Sequence, residues 1–182
     1  MSDDARLVVV DMQRVFADAD SAWATPGYAS ASAGVRRLLP AFRDRTVFTR
    51  FVAPEHPVGA WIPYYRDWPD QLRPADDPLW DLTLEPGDAP VVTATTFGKW
   101  GPDLVAATDG SERLVVAGVS TDCCVLSTAL AAADAGRYVT VPEDACAGLS
   151  AADHRRALDA MALYGPLITI SSVDDVLSTM GA

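Results

Sequence analysis

Three residue types that can do covalent chemistry together each stand just past a predicted β-strand. Asp11 follows the first such strand, Lys99 the third and Cys124 the fourth. The carboxyl ends of parallel strands meet at one edge of a sheet, so we expect these side chains to converge. A thiolate is a nucleophile, a carboxylate can take the thiol proton, and an ammonium can stabilise the resulting charge.

Each residue also has a structural interpretation. Asp11 could cap a turn, Lys99 could be a surface lysine, and Cys124 could be a small buried hydrophobe. Thr121 is predicted to be the N-cap of a helix over residues 121–136, which puts Cys124 in the first turn. Unpaired N–H groups and the helix dipole favour an anion there, so we expect an ionised thiol.

Other cysteine and histidine chemistries fit poorly. The chain has three cysteines and two histidines, too few and too scattered for a disulfide framework or a zinc knot. No arginine stands six residues after any cysteine, which excludes the Cys-x5-Arg loop of cysteine phosphatases. Neither His56 nor His154 is near a predicted strand end, so a Cys–His catalyst is not expected.

Composition and charge narrow the class of protein. A chain of 182 residues with 49% hydrophobic residues is predicted to form a single globular domain over 1–182. Its net charge of −11 argues against nucleic acid or an anionic membrane as a partner. The acidic N-terminus does not resemble a secretory signal, and no apolar run is long enough to span a bilayer, so a cytoplasmic location is expected.

Strand and helix patterns alternate along the chain. The predicted strands lie at 7–10, 46–49, 89–93, 113–117, 138–141 and 167–170, and the predicted helices at 30–42, 102–108, 121–136, 150–163 and 172–180. This alternation predicts an α/β fold with three αβα layers. We expect a six-stranded, mostly parallel sheet in the Rossmann-like order 3-2-1-4-5-6.

The segment from about 50 to 90 breaks this pattern, because it is rich in Pro, Trp and Tyr and has no clean period. We interpret it as an insertion. It either packs its aromatic side chains on the sheet edge as a surface loop or forms one wall of a substrate pocket, and the sequence favours neither.

Three motifs resemble those of the isochorismatase-like cysteine hydrolases. Residues 8–13 with Phe16 are similar to that family's first motif. Residues 118–125, Gly-Val-Ser-Thr-Asp-Cys-Cys-Val, are similar to its Gly-x-x-Thr-x-x-Cys-Val nucleophile motif. Residues 144–146, Asp-Ala-Cys, resemble the family's tripeptide after the fifth strand, and the likeness runs from residue 6 to about 170.

The resemblance implies roles for particular residues. Asp11, Lys99 and Cys124 match the family's catalytic triad, and the spacing selects Cys124 over Cys123, which is then expected to pack. The backbone N–H groups of Ser120 and Cys124 would form the oxyanion hole, and the peptide bond before Ser120 is expected to be cis.

One departure from the family concerns metal. Nicotinamidase-type members carry an Asp and histidines after the second strand, but here Phe51 and Ala53 stand at the positions of the Asp and the first His. His56 alone cannot build a site with several ligands, so no metal and no other cofactor are expected, and a nicotinamidase is doubtful.

The combined prediction is a metal-independent amidase for a small amide or ureido compound, working through a thioester. Its substrate pocket is expected to use five aromatic residues: Phe16, Phe51, Trp61, Tyr65 and Trp100. The alternatives are an isochorismatase-type vinyl-ether hydrolase, against which Cys124 argues, and a catalytically silent ligand-binding scaffold. By the same resemblance a homodimer or homotetramer is expected.

Overall fold

The computed structural model describes residues 4–180. Within that range, the strands are β1 (Arg6–Val10), β2 (Thr46–Phe51), β3 (Val91–Ala94), β4 (Arg113–Val119), β5 (Tyr138–Pro142), β6 (Cys146–Ala147) and β7 (Ile168–Ser171). The α-helices are α1 (Arg14–Ala17), α2 (Tyr28–Phe42), α3 (Trp61–Asp67), α4 (Pro102–Ala107), α5 (Leu126–Asp134), α6 (Ala151–Ala162) and α7 (Val173–Met180).

The strands form one parallel sheet in the order β3-β2-β1-β4-β5-β7, with β6 paired to β4. This confirms the predicted α/β fold and strand order, since β7 takes the sixth place. The two-residue β6 was not predicted, because two residues carry no periodic signal. The short helices α1 and α3 were not predicted either.

Burial on both faces explains why β1 reads as a continuous apolar run. Leu7 and Val9 pack toward α2 and α7, whereas Val8 and Val10 pack toward α4, α5 and α6. A parallel strand covered by helices on both faces needs apolar residues at every position. Because β1 and β4 are parallel neighbours in the middle of the sheet, their carboxyl ends lie next to each other at the same edge.

The segment between β2 and β3 folds back over this edge of the sheet. Helix α3 packs aromatic side chains against it, and Trp80 is fully buried in the same core. Among residues 4–180, no helix combines the length and apolar character that a bilayer crossing requires.

Candidate functional site

Asp11 is turned into the site by the backbone at the end of β1. Its φ of 48° lies in the left-handed region, which Asp tolerates better than most residues. The neighbouring strand supplies Thr49, whose hydroxyl donates to Asp11 Oδ1 at 2.7 Å and accepts from the Asp11 N–H at 3.3 Å. Thr49 therefore fixes both the backbone and the carboxylate of Asp11.

Lys99 lies in the loop between β3 and α4 and pairs with Asp11. Its Nζ is 2.9 Å from Asp11 Oδ2, and both side chains are fully buried. The ammonium also donates to the carbonyl oxygens of Thr96 at 2.6 Å and Phe97 at 2.9 Å. An ammonium has three N–H groups, and Asp11, Thr96 and Phe97 give it three acceptor groups, as a buried cation needs. Asp11 Oδ2 makes an ion pair with the ammonium but no well-aligned hydrogen bond with any of residues 4–180.

The loop that carries Cys124 depends on a glycine. Gly118, the last but one residue of β4, has a φ of 125°, and a Cβ there would lie only 2.1 Å from the carbonyl oxygen of Val10. Only glycine allows the ends of β4 and β1 to come this close. The peptide bond between Val119 and Ser120 is cis, as the resemblance implied.

Cys124 lies in the first helical turn, as predicted, but Thr121 is not its N-cap, because Ser120 holds the cap position and Thr121 is the first residue of the turn. Residues Thr121–Val125 form a π-helical turn ahead of α5. The Ser120 carbonyl accepts the N–H groups of Cys123 at 3.2 Å and Val125 at 3.1 Å. The buried Thr121 hydroxyl instead bonds His154 Nδ1 at 2.9 Å, because His154 on α6 lies beside it.

Thr128 joins the loop of Cys124 to the loop of Lys99. It lies one turn after Cys124, and its buried hydroxyl donates to the Cys124 carbonyl at 2.6 Å. The same oxygen accepts the backbone N–H of Lys99 at 3.0 Å. One hydroxyl thus sets the spacing between the two residues. We call Asp11, Thr49, Lys99 and Thr128 the polar floor.

The surroundings of the Cys124 thiol favour its neutral form, whereas the sequence analysis expected an ionised thiol. Burial raises its pKa well above the ordinary value, and so do the negative charge of Asp11 and a hydrogen bond with it. The positive charge of Lys99 acts the other way but does not outweigh them. Burial would lower the pKa of Lys99, yet the charges of Asp11 and Cys124 raise it overall. Burial and the charge of Asp11 therefore both favour the thiol over the thiolate at Cys124.

A cavity of about 230 Å³ opens directly above Cys124. Six aromatic residues form what we call the aromatic wall: Phe16, Trp23, Phe51, Tyr64, Trp68 and Phe97. The other lining residues are Thr25, Ser120, Asp122, Cys123, Cys124 and Leu149. Ser120 and Cys124, whose N–H groups are predicted to form the oxyanion hole, therefore face the same space.

Two of the five predicted pocket residues, Phe16 and Phe51, line this cavity. Trp61 and Tyr65 do not, because their rings stack on each other at 6.0 Å behind Tyr64. Trp100 belongs to the core on the other face of the sheet, where the guanidinium of Arg137 lies over its ring. Cys123, expected only to pack, lines the cavity.

Sequence reasoning missed several residues that shape the site. Thr128 had a signal, since a residue four positions after Cys124 lies on the same helical face. Gln13 is fully buried and holds Phe51 in place: its amide bonds the Phe51 N–H and carbonyl, both at 2.8 Å. Trp23 and Phe97 lie outside the aromatic segment from about 50 to 90, to which most of the predicted pocket residues belong.

The residues present do not fit a metal ion. Across residues 4–180, no three His, Cys, Asp or Glu side chains come together as a metal site would need. Phe51 fills the space beside the ion pair, with its ring 5.2 Å from Lys99 Nζ. His56 lies on the surface, where its side chain is 88% exposed. We therefore derive no step through a metal.

The geometry agrees with comparisons to known proteins. The family model described as the isochorismatase domain matches residues 5–172. No curated protein is similar enough in sequence to count as a match. A cysteine hydrolase from Pseudomonas syringae pv. phaseolicola 1448A is 20% identical, with a TM-score of 0.88 and coverage of 100% of this chain and 94% of that one.

Two further solved structures are similar. N-carbamoylsarcosine amidase from Thermoplasma acidophilum is 22% identical, with a TM-score of 0.74 and coverage of 93% of this chain and 96% of that one. Pyrazinamidase of Pyrococcus horikoshii, solved in complex with zinc, is 26% identical, with a TM-score of 0.75 and coverage of 93% and 99%.

Proposed function

Because the chain belongs to the isochorismatase family, we propose that it is a cysteine-dependent hydrolase that cleaves a C–N bond of a small amide or ureido compound without a metal. The observation that carries this proposal is the position of Asp11. Its carboxylate lies 2.9 Å from the Lys99 ammonium, and its charge acts on the thiol of Cys124, which lines a cavity.

The first half of the reaction forms a thioester. Asp11 takes the thiol proton as Cys124 attacks the substrate carbonyl. The Lys99 ammonium stabilises the negative charge as it passes from the Asp11 carboxylate to the Cys124 sulfur. The N–H groups of Ser120 and Cys124 hold the oxygen that becomes negative. The protonated Asp11 then gives its proton to the departing nitrogen, so that ammonia or an amine leaves as the C–N bond breaks.

The second half releases the acid. Asp11, again a carboxylate, takes a proton from a water molecule that attacks the thioester carbonyl. The C–S bond breaks, the carboxylic acid leaves, and Cys124 recovers its proton from Asp11. The raised pKa of Cys124 suits this cycle, because a thiol that returns to its neutral form restores the resting state.

Ammonia release from a panel of small amides tests the proposal, with Cys124→Ala as the control. We expect release by the unaltered chain, none above background by the variant, and full activity in the presence of a chelator. Mass spectrometry of the quenched enzyme should find the acyl group on the peptide that carries Cys124. Chelator-sensitive activity, or activity that survives Cys124→Ala, would contradict the proposal.

A further inference from the structure

Among residues 4–180, the lining of the cavity carries a negative charge and no positive one. Asp122 is the only ionisable carboxyl on it, and no lysine, arginine or histidine among residues 4–180 lines it. Building on the proposed function, we propose that the substrate is an amide whose acyl part bears no negative charge, and that Asp122 is a specificity-determining residue that excludes carboxylate-bearing amides.

Asp122 is fixed in place by neutral groups. Its Oδ1 accepts the Ser120 hydroxyl at 2.7 Å and the Leu149 N–H at 2.9 Å. Its Oδ2 has the Cys123 thiol at 3.8 Å, a long and weak contact. Neutral donors orient a carboxylate but leave its charge in place, so Asp122 presents that charge to whatever enters the cavity.

Neither nearby basic group offsets this charge or offers itself to a substrate carboxylate. The Lys99 ammonium already has three acceptor groups, on Asp11, Thr96 and Phe97, and its side chain has no exposed surface. His154 bonds Thr121 through Nδ1 and does not line the cavity. A carboxylate inside the cavity would therefore lose its water and meet only a like charge.

The rest of the cavity suits an apolar group. Tyr64 lies edge-on to Phe97, with ring centroids 5.7 Å apart, and Trp23 is edge-on to Phe51 at 5.5 Å. Aromatic faces of this kind hold flat or aliphatic groups by burying their surface. The acyl part that fits is small, uncharged and apolar.

Two alkylating reagents of almost equal size test this selection without relying on amide hydrolysis. Iodoacetamide is neutral, whereas iodoacetate is anionic. With either reagent, the Cys124 sulfur forms a bond to the CH₂ carbon, iodide leaves, and the thiol proton passes to the buffer base. Rates are measured at about pH 8.5, near the ordinary thiol pKa. Tandem mass spectrometry separates Cys124 from Cys123, and free glutathione gives the reference rate ratio.

We expect Cys124 to prefer iodoacetamide over iodoacetate by at least about tenfold more than glutathione does. Asp122→Asn keeps an oxygen for the Ser120 and Leu149 donors but removes the charge, so the preference should fall several-fold. Leu149→Arg adds a cation at a half-exposed position on the rim of the cavity, so it should also lower the preference for iodoacetamide. Leu149→Gln, which adds no charge, is its matched control.

A glutathione-like ratio in the unaltered chain would overturn the inference, as would failure of both reagents to reach Cys124. A second pair of compounds distinguishes failure of this inference from failure of the proposed function. Para-nitrobenzamide and para-carboxybenzamide have nearly the same shape, but only the second carries a negative charge. If both are hydrolysed equally well, the charge selection fails while the amidase stands. If no amide is hydrolysed but the reagent preference holds, the selection stands and the amidase fails.

Discussion

The polar floor and the aromatic wall meet at Cys124 but are built in opposite ways. In the floor, hydrogen bonds and one ion pair between 2.6 and 3.3 Å fix the side chains. In the wall, Trp23, Phe51, Tyr64 and Phe97 hold one another through ring contacts at 5.5 to 6.3 Å. Directional bonds fix atoms that must react, whereas ring packing fixes only a shape, so substitutions should act differently in the two regions.

Loss of the nucleophile should have the largest effect. Cys124→Ala leaves the floor and the wall in place but removes the atom that would bond the substrate carbonyl, and we expect kcat to fall by at least about 10³-fold. Ammonia release measures this, with Cys123→Ala beside it. Activity that survives in Cys124→Ala but is lost in Cys123→Ala would show that Cys123 is the nucleophile.

Removing the proton acceptor in the floor should come next. Asp11→Asn abolishes the carboxylate and leaves the buried Lys99 without its counter-ion, so kcat should fall by about 10² to 10⁴-fold. Thr49→Val keeps the carboxylate but removes its 2.7 Å donor, and should cost about tenfold or less. Circular dichroism checks that both variants fold. Equal falls in kcat in the two variants would contradict the distinction between a residue that reacts and a residue that positions it.

The three candidate catalytic residues could be predicted to lie together because each comes shortly after a strand of the parallel sheet. The ends of parallel strands converge whatever the loops do, so Asp11, Lys99 and Cys124 were expected together, and the structure brings them together. Thr49 and Thr128 were missed because a threonine in a strand or a helix looks ordinary until its hydroxyl is seen to have two partners.

The wall could not be predicted because its members come from separate turns and from a segment without a period. Tyr64 lines the cavity and its neighbour Tyr65 does not, a difference set by how α3 docks on the sheet. The complete burial of Cys124, which raises its pKa, could not be predicted either, since spacing indicates which groups are near a thiol but not how deeply it is buried.

The pH dependence of alkylation should distinguish a buried thiol from an ionised one. Because burial and Asp11 raise the pKa of Cys124, its thiolate fraction should grow about tenfold per pH unit through pH 9 without levelling off. Burial also raises the pKa of Cys123, to about 11, so both thiols should react faster as pH rises. A plateau for Cys124 below about pH 7 would mean that Lys99 outweighs Asp11.

A change in the wall should alter binding more than chemistry. The Phe97 ring is part of the wall, whereas its carbonyl accepts from Lys99, so Phe97→Leu reshapes the wall without touching the floor. We expect KM to rise by up to about tenfold with kcat within about threefold. A large fall in kcat with KM unchanged would show that the wall also positions reacting atoms.

The smallest effect concerns stability, and it has opposite signs for Tyr65, which packs behind the aromatic wall, and for Thr49 in the polar floor. The Tyr65 hydroxyl is buried without a hydrogen-bond partner among residues 4–180, so Tyr65→Phe should raise the free energy of unfolding by about 1 kcal/mol or leave it unchanged. Thr49→Val should lower it by about 1 to 2 kcal/mol, because the Asp11 carboxylate loses a buried donor. Urea unfolding measures both. A loss of stability in Tyr65→Phe would show that the rings packed behind the aromatic wall depend on that hydroxyl.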